Sequence, residues 1–230
     1  MPGFGASATE FLPVLHKQAP SPIAATGRIS FISFELLLSA LIEARVGIPY
    51  IQPVLDGLRS LGADDPDSLA VLDISAFASH WTGPSRKRMT DLGGTLKRFA
   101  SSILAMGGMD LVEAASQESL RSAWLKIPGL GPSTVDHLLQ LAGFPIIPID
   151  RAIYRILVRH GWIAEEDGYE EAQNVILSAF SNDIATLQAL AEAFSHIGKR
   201  WCKATNAACT ACPLAPWLPE SGKPYGSGAD

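Results

Sequence analysis

Apolar residues recur with a helical period along most of the chain. The first strong pattern follows Ser33, and Gly47 stands where a helix with that pattern should end. Its apolar stripe is formed by Phe34, Leu37, Leu38, Leu41 and Ile42. Similar patterns predict helices over residues 53–61, 67–72, 74–81, 85–106, 116–126, 132–143, 150–161, 169–180 and 184–197. No alternating strand pattern and no Asn-Gly turn occurs, so the prediction is an all-α fold of about ten helices.

Capping and helix-breaking residues set the predicted helix ends. Asp67, Asp150 and Asp183 are placed to cap helix N-termini, and Gly198 is placed to close the last long helix. The pair Gly93-Gly94 falls inside the helix over 85–106 and should weaken it.

The two chain ends differ in composition from the middle. Residues 1–32 are rich in Ala, Pro, Gly and Ser, which predicts an irregular arm with one short helix around Thr9 to His16. The segment 220–230 is polar and Gly-rich, which predicts a disordered tail.

Composition indicates a soluble globular protein. The chain has 230 residues, 47% of them hydrophobic, which is enough for one large or two small cores. No apolar run is long enough to cross a membrane, and the N-terminus lacks the features of a secretory signal. The formal net charge is −5, so any binding to nucleic acid must depend on a local basic patch.

A Gly-x-Gly turn, Gly129-Leu130-Gly131, joins two predicted helices. The first backbone N–H groups of a helix have no partner within it, and glycines let a phosphate chain come close to them. The turn could therefore bind phosphate. The residues of the turn alone favour a plainer role, an ordinary helical hairpin or one that packs against a protein.

The residues around this turn resemble the helix-hairpin-helix DNA glycosylase superfamily, specifically its endonuclease III-like branch. The central match reads Leu125-x-Ile127-Pro128-Gly129-Leu130-Gly131-Pro132-Ser133-Thr134, followed by Pro148-Ile149-Asp150-Arg151. The outer matches read Phe34-Glu35-Leu36-Leu37, Gly198-Lys199-Arg200-Trp201-Cys202 and Cys209-x-x-Cys212. Together they span nearly the whole chain in the family's order.

The resemblance implies a two-lobed all-α enzyme that flips its target nucleotide out of the duplex. Residues 33–144 would form a six-helix bundle that ends in the helix-hairpin-helix. Residues 1–32 together with 145–219 would form a second helical lobe, built from both termini and carrying the cysteine segment. The expected activity is the removal of a damaged or mismatched base in base excision repair.

Asp150 matches the family's catalytic aspartate. Cleavage of a base–sugar bond builds positive charge on the sugar, and a fixed carboxylate stabilises that charge. The pattern alone favours a plainer role, the N-cap of the following helix, and both roles can coexist.

Ser133 stands where bifunctional members carry an imine-forming lysine, which a hydroxyl cannot replace. The resemblance therefore implies hydrolysis without efficient strand cleavage; Ser133 could also simply help to cap its helix.

Ala40 argues against one particular relative. The adenine glycosylase that acts opposite oxidised guanine carries a catalytic glutamate where Ala40 falls, and Glu43 lies one turn later. The sequence therefore leaves the substrate open among uracil, mismatched thymine, oxidised pyrimidines and alkylated purines.

Further DNA contacts are expected from three places. The hairpin itself contributes Gly129, Leu130, Gly131, Ser133 and Thr134. Arg45 stands where relatives place a glutamine that fills the gap left by the flipped base, although a cation at a helix C-terminus needs no such role. The run Arg86, Lys87 and Arg88 follows a loop with Trp81 and Pro84, and it suits phosphate contacts or an ordinary solvated face.

Three cysteines, Cys202, Cys209 and Cys212, match the first three ligands of the family's four-iron four-sulfur cluster. Leu218 stands at the place of the fourth, and the chain has no other cysteine. Three alternatives remain: a cluster with an open or non-cysteine iron position, a zinc site completed by a residue such as His196, or a lost site filled by packing. The missing ligand favours the loss of the cofactor.

The sequence thus predicts a monofunctional DNA N-glycosylase that acts as a cytoplasmic, nucleoid-associated monomer on double-stranded DNA. Two alternatives stay open: a non-catalytic helix-hairpin-helix DNA-binding protein, and a bifunctional glycosylase with lyase activity. Asp150 in its Pro-x-Asp-Arg setting favours an enzyme, because a pure binding module needs no carboxylate beside the sugar.

Overall fold

All regular secondary structure in the described part of the chain is helical. The structure is a computed structural model, and it describes residues 4–16, 32–81, 85–180 and 183–219. Within these ranges it contains α-helices and short 3₁₀ turns and no strand. The prediction of an all-α fold is confirmed.

The chain forms two compact units. One consists of residues 28–144, and the other of residues 1–27 together with 145–230. The first unit contains α2 (Phe34–Val46), α3 (Ile51–Ser60), α4 (Pro66–Ala70), α5 (Ile74–Ser79), α6 (Arg86–Ala105), α7 (Met109–Ala114), α8 (Gln117–Leu125) and α9 (Pro132–Leu141). The second contains α1 (Phe4–His16), α10 (Arg151–Arg159), α11 (Tyr169–Phe180) and α12 (Ile184–Arg200).

The long helix α6 is the centre of the first unit. Its buried face carries Leu92, Leu96, Phe99 and Ile103, all fully buried, and α4 and α5 pack along it. Gly93 does not break the helix. A Cβ at Gly93 would lie 2.8 Å from Cδ1 of Phe77, so the missing side chain makes room for α5. Tertiary packing therefore compensates for the low helix propensity of this position.

An aromatic group holds the second unit together. Phe4 and Phe11 of α1 each lie 5.1 Å, centroid to centroid, from Trp162, which follows α10. Phe11 also packs on Phe194 of α12 and Trp217. Such pairs add to the large apolar area that each ring buries. The N-terminal helix is thus part of the core of this unit.

Several predicted helix ends were wrong, some because of tertiary contacts and others because of local capping. The first helix begins at Phe4 rather than near Thr9, because Phe4 is buried in the aromatic group. The N-cap of α4 is Asp65 and not Asp67: its side chain accepts a hydrogen bond from the Ser68 N–H in a capping box, with proline at the next position.

Two further differences concern glycine. Helix α7 was not predicted; Gly108, with φ +97°, serves as its N-cap. Gly198 does not end α12, which continues to Arg200. Instead Gly198 is buried within the helix, at the place where α12 packs against α10.

Parts of the sequence predictions fall outside the described residues. These are segment 17–31 of the predicted arm, Pro84, and the predicted disordered tail 220–230. Among the helices of the described residues, none combines the length and apolar character needed to cross a membrane.

Candidate active site

The Gly-x-Gly turn forms a tight hairpin between α8 and α9. Gly129 has φ +96°, a conformation that L side chains rarely adopt. Gly131 is the N-cap of α9 with an ordinary φ of −95°, and a Cβ built there would meet nothing within 4 Å. Gly129 is thus needed for the turn itself, whereas Gly131 leaves open space in front of the helix.

The exposed side of the hairpin carries free backbone donors. In the described structure the N–H groups of Gly129, Gly131 and Ser133 make no hydrogen bond, while those of Leu130 and Thr134 bond within the turn. Pro128, Gly129 and Gly131 are exposed, and the Leu130 side chain is buried. This arrangement matches what an anionic oxygen requires at a helix N-terminus.

Ser133 is the second residue of α9 and is half-buried. The alternative role as a cap is wrong, because Gly131 is the N-cap and no side chain caps this helix. The Ser133 hydroxyl makes no hydrogen bond among the described residues. One turn further on, burial lowers the pKa of His137, and the nearby carboxylate of Glu43 partly opposes this shift.

A buried ion pair fixes the two helices of the hairpin motif to each other. Nε of Arg121 on α8 lies 2.7 Å from Oδ1 of Asp136 on α9, and a second guanidinium nitrogen lies 3.3 Å from Oδ2. The Asp136 side chain is fully buried. A bidentate pair of this kind restricts the distance and the angle between α8 and α9, so it fixes the two helices that flank the hairpin.

Arg45 lies behind the hairpin, at the end of α2. Its guanidinium donates to the backbone carbonyl of Gly129 and also lies within 3.4 Å of the Thr95 hydroxyl. A Cβ on Gly129 would overlap this guanidinium, which is a second reason for glycine at that position.

Asp150 is the N-cap of α10, as the sequence pattern suggested. Its Oδ1 accepts hydrogen bonds from the N–H groups of Ala152, at 2.8 Å, and Ile153, at 2.7 Å. The side chain is half-buried. Oδ2 makes no hydrogen bond among the described residues, so the cap leaves one carboxylate oxygen available.

The segment that leads into Asp150 is tied down by α11. Nε2 of Gln173 donates to the carbonyl of Ile147 at 2.7 Å, and the N–H of Ile149 donates to the Tyr169 hydroxyl at 3.1 Å. These bonds leave little freedom to the backbone before the carboxylate. No signal in the sequence pointed to Gln173 or Tyr169, since both stand 20 residues or more beyond the segment and belong to no recognised motif.

Gly198 of α12 packs against the first turn of α10, the helix that Asp150 caps. A Cβ at Gly198 would overlap the Cβ of Ala152, in the first turn of α10. The glycine therefore lets α12 approach the helix that Asp150 caps. Its place in a family motif was the only signal in the sequence, and the pattern there suggested a helix end.

The basic run Arg86, Lys87 and Arg88 forms the exposed first turn of α6. Cations are unfavourable at the positive end of a helix dipole, and this turn contains no acidic residue to offset them. Ser85 caps the helix, and Arg86 donates to the Ser79 hydroxyl at 3.0 Å. The turn is therefore a concentrated positive patch on an acidic chain.

Comparison with known proteins gives a consistent result. A non-covalent complex of endonuclease III with DNA superposes with a TM-score of 0.71 at 16% identity, covering 94% of this chain and 95% of that one. A trapped covalent endonuclease III–DNA intermediate gives 0.70 at 16% identity, with coverages of 94% and 96%. A thermostable thymine-DNA glycosylase gives 0.67 at 14% identity, with coverages of 92% and 95%. The chain has the helix-hairpin-helix DNA glycosylase fold. No family model and no curated protein sequence matches it.

This glycosylase fold raises the question of an iron–sulfur cluster at the three cysteines. Cys202, Cys209 and Cys212 line one small cavity of about 10 Å³, and Leu218 lines it too. Burial raises the pKa of the Cys212 thiol, and the nearby Cys202 and Cys209 raise it further. His196, the suggested zinc ligand, is not part of the cavity wall and instead packs edge-on against Trp201.

The residues present do not fit a four-cysteine cluster. A cavity of this size holds about one water molecule, and the residue at the place of the fourth cysteine, Leu218, contributes a hydrocarbon side chain to its wall. The buried Arg159 donates to Sγ of Cys202 at 3.0 Å, so that sulfur already has a protein partner. Within the described residues, no three His, Cys, Asp or Glu side chains have a metal-binding arrangement.

Proposed function

We propose that this chain is a monofunctional DNA glycosylase of base excision repair. It would act as a cytoplasmic, nucleoid-associated monomer on double-stranded DNA that contains a damaged or mismatched base. The observation that supports this most strongly is Asp150: a half-buried carboxylate on a tied-down backbone, with one oxygen used in the cap and the other free, in a glycosylase fold.

The proposed reaction is hydrolysis at the sugar carbon that carries the base. The bond from this carbon to the base nitrogen breaks, the base leaves with the bonding electron pair, and positive charge develops on the sugar. Asp150 stabilises this charge through its free oxygen and orients a water molecule, whose oxygen bonds to the carbon. One proton of the water ends on the base. The hairpin N–H groups hold the DNA backbone meanwhile.

Ser133 is the reason for proposing a reaction without an imine intermediate. Endonuclease III forms a covalent intermediate with DNA that has been trapped. In this chain the position that the resemblance gives to an imine-forming lysine is a serine whose oxygen can form no imine. The product would therefore be an intact strand with an abasic site.

A panel of lesion duplexes tests this proposal. We expect at least one duplex carrying uracil, mismatched thymine, an oxidised pyrimidine or an alkylated purine to be cleaved after alkali and to stay intact without it. Borohydride should trap no more protein on DNA than a bovine albumin control. A strong trapped band would contradict the monofunctional assignment, and Lys126→Gln would then test Lys126 as the nucleophile. Binding without cleavage of any duplex would instead indicate a DNA-binding module.

We also propose that the cysteine segment folds without iron. Two observations support this. Leu218 supplies hydrocarbon packing where the resemblance implies a fourth thiolate, and Arg159 donates a hydrogen bond to the sulfur of Cys202. Protein purified under anaerobic conditions should show no visible absorbance band and negligible iron and zinc, and it should titrate three free thiols after denaturation. Near four irons per chain, or one zinc, would contradict the proposal. Leu218→Cys, purified in parallel, supplies the complete ligand set for comparison.

A further inference from the structure

Two arginines bind the carbonyl side of the hairpin. Arg45 of α2 donates to the carbonyl of Gly129, and Arg98 of α6 donates to the carbonyl of Pro128 at 3.1 Å. Both guanidinium groups also reach the hydroxyl of Thr95, at 3.4 and 3.5 Å. We call Arg45, Arg98 and Thr95 the guanidinium clamp.

Thr95 is suited to the centre of the clamp. Its side chain is 1% exposed, and its hydroxyl donates its single hydrogen to the carbonyl of Asp91 at 2.9 Å. The oxygen keeps two lone pairs, one for each arginine. The orientation of the hydroxyl is therefore fixed by the helix backbone, and it directs both guanidinium groups toward the hairpin.

The clamp also determines where a hairpin N–H group points. The peptide bond between Pro128 and Gly129 is trans, so the Gly129 N–H points away from the Pro128 carbonyl. Because Arg98 holds that carbonyl, it fixes the free N–H on the opposite, exposed side. The two arginines also place positive charge beside the turn in a chain of net charge −5.

We infer that Arg45 and Arg98 are positioning residues for the phosphate-binding hairpin, with Thr95 as their support. This inference rests on the proposed DNA-binding function. It differs from the gap-filling role that the resemblance suggests for Arg45, because a guanidinium bound to the Gly129 carbonyl acts through the hairpin backbone. It also assigns a role to Arg98, which belongs to no recognised motif.

The test uses variants that keep the charge. Lysine has one ammonium group and cannot bridge a carbonyl and a hydroxyl in the geometry of a guanidinium. We expect the double variant R45K/R98K to bind an undamaged duplex about tenfold more weakly, as measured by fluorescence anisotropy, because the hairpin loses charged hydrogen bonds. The salt dependence of binding should stay unchanged, since the number of cations is the same. Arg59→Lys, at an exposed ion pair of the same unit and outside the expected DNA contacts, is the matched control and should bind like wild type.

Amide signals of the hairpin provide a readout that does not depend on DNA. In protein labelled with ¹⁵N-glycine, the signals of Gly129 and Gly131 should shift or broaden in R45K/R98K and in the milder variant Thr95→Val, while those of distant glycines stay in place. Wild-type binding and unchanged hairpin signals in R45K/R98K would overturn the inference. If the wild type itself bound no DNA, the proposed function would fail, and the glycine signals would still decide whether the clamp exists.

Discussion

Asp150→Asn should abolish base excision while the protein stays folded and binds DNA. Asparagine is as good an N-cap as aspartate, so its side-chain oxygen can keep accepting hydrogen bonds from Ala152 and Ile153. The variant loses the negative charge that stabilises the sugar in the transition state. We expect a loss of about 10²- to 10⁴-fold in single-turnover excision rate, the range typical of a lost acid–base or electrostatic group.

Asp150→Ala separates the two roles of this residue. It removes both the charge and the cap, so it should show the same loss of excision together with a loss of about 1 kcal/mol in the free energy of unfolding. Urea denaturation and excision of the best lesion substrate are measured on both variants. If Asp150→Asn turned over like wild type, Asp150 would be a helix cap and nothing more, and the catalytic assignment would have to be abandoned.

Arg121→Met should be strongly destabilising. It leaves the carboxylate of Asp136 fully buried without its guanidinium partner, and removal of one member of a buried pair typically costs several kcal/mol. The Arg121 side chain is 22% exposed, so we expect the lower end of that range, about 3 kcal/mol in the free energy of unfolding by urea. A small domain has only about 5–15 kcal/mol in total. DNA binding should fall as well, because α8 and α9 carry the hairpin.

Arg59→Met is the matched control for burial. Arg59 forms equally short ion pairs in the same unit, at 2.8 Å to Glu35 and 2.6 Å to Asp56, but all three side chains are exposed. The urea midpoint of Arg59→Met should change little, since exposed ion pairs contribute little to stability.

Replacing both members of the buried pair by apolar residues, in R121M/D136L, should recover much of the stability that Arg121→Met loses. Equal midpoints for Arg121→Met and Arg59→Met would show that the buried pair does not brace the hairpin.

The helices themselves were largely predictable from the chain. The apolar stripe of α2, the cap at Asp150 and the proline at the start of α9 are local signals, and a helix forms from local hydrogen bonds. Local signals failed where a distant contact decided the outcome. Phe4 extends α1 because aromatic rings from elsewhere in its unit cover it, and Gly198 stays within α12 because α10 lies against it.

The candidate site likewise combines features set by local sequence with features set by distant contacts. The sequence by itself determined the all-α class, the Gly-x-Gly turn between two helices, the helix-capping carboxylate of Asp150, and the absence of a fourth cysteine at Leu218, because each depends on residue type and short spacing. Only the tertiary structure decided how these groups are held. Gln173 and Tyr169 fix the backbone before Asp150, and Arg45 and Arg98 fix the hairpin, from segments 20 to 84 residues away in sequence. Such partners follow no local period, since a folded backbone can bring any donor to a carbonyl that needs one.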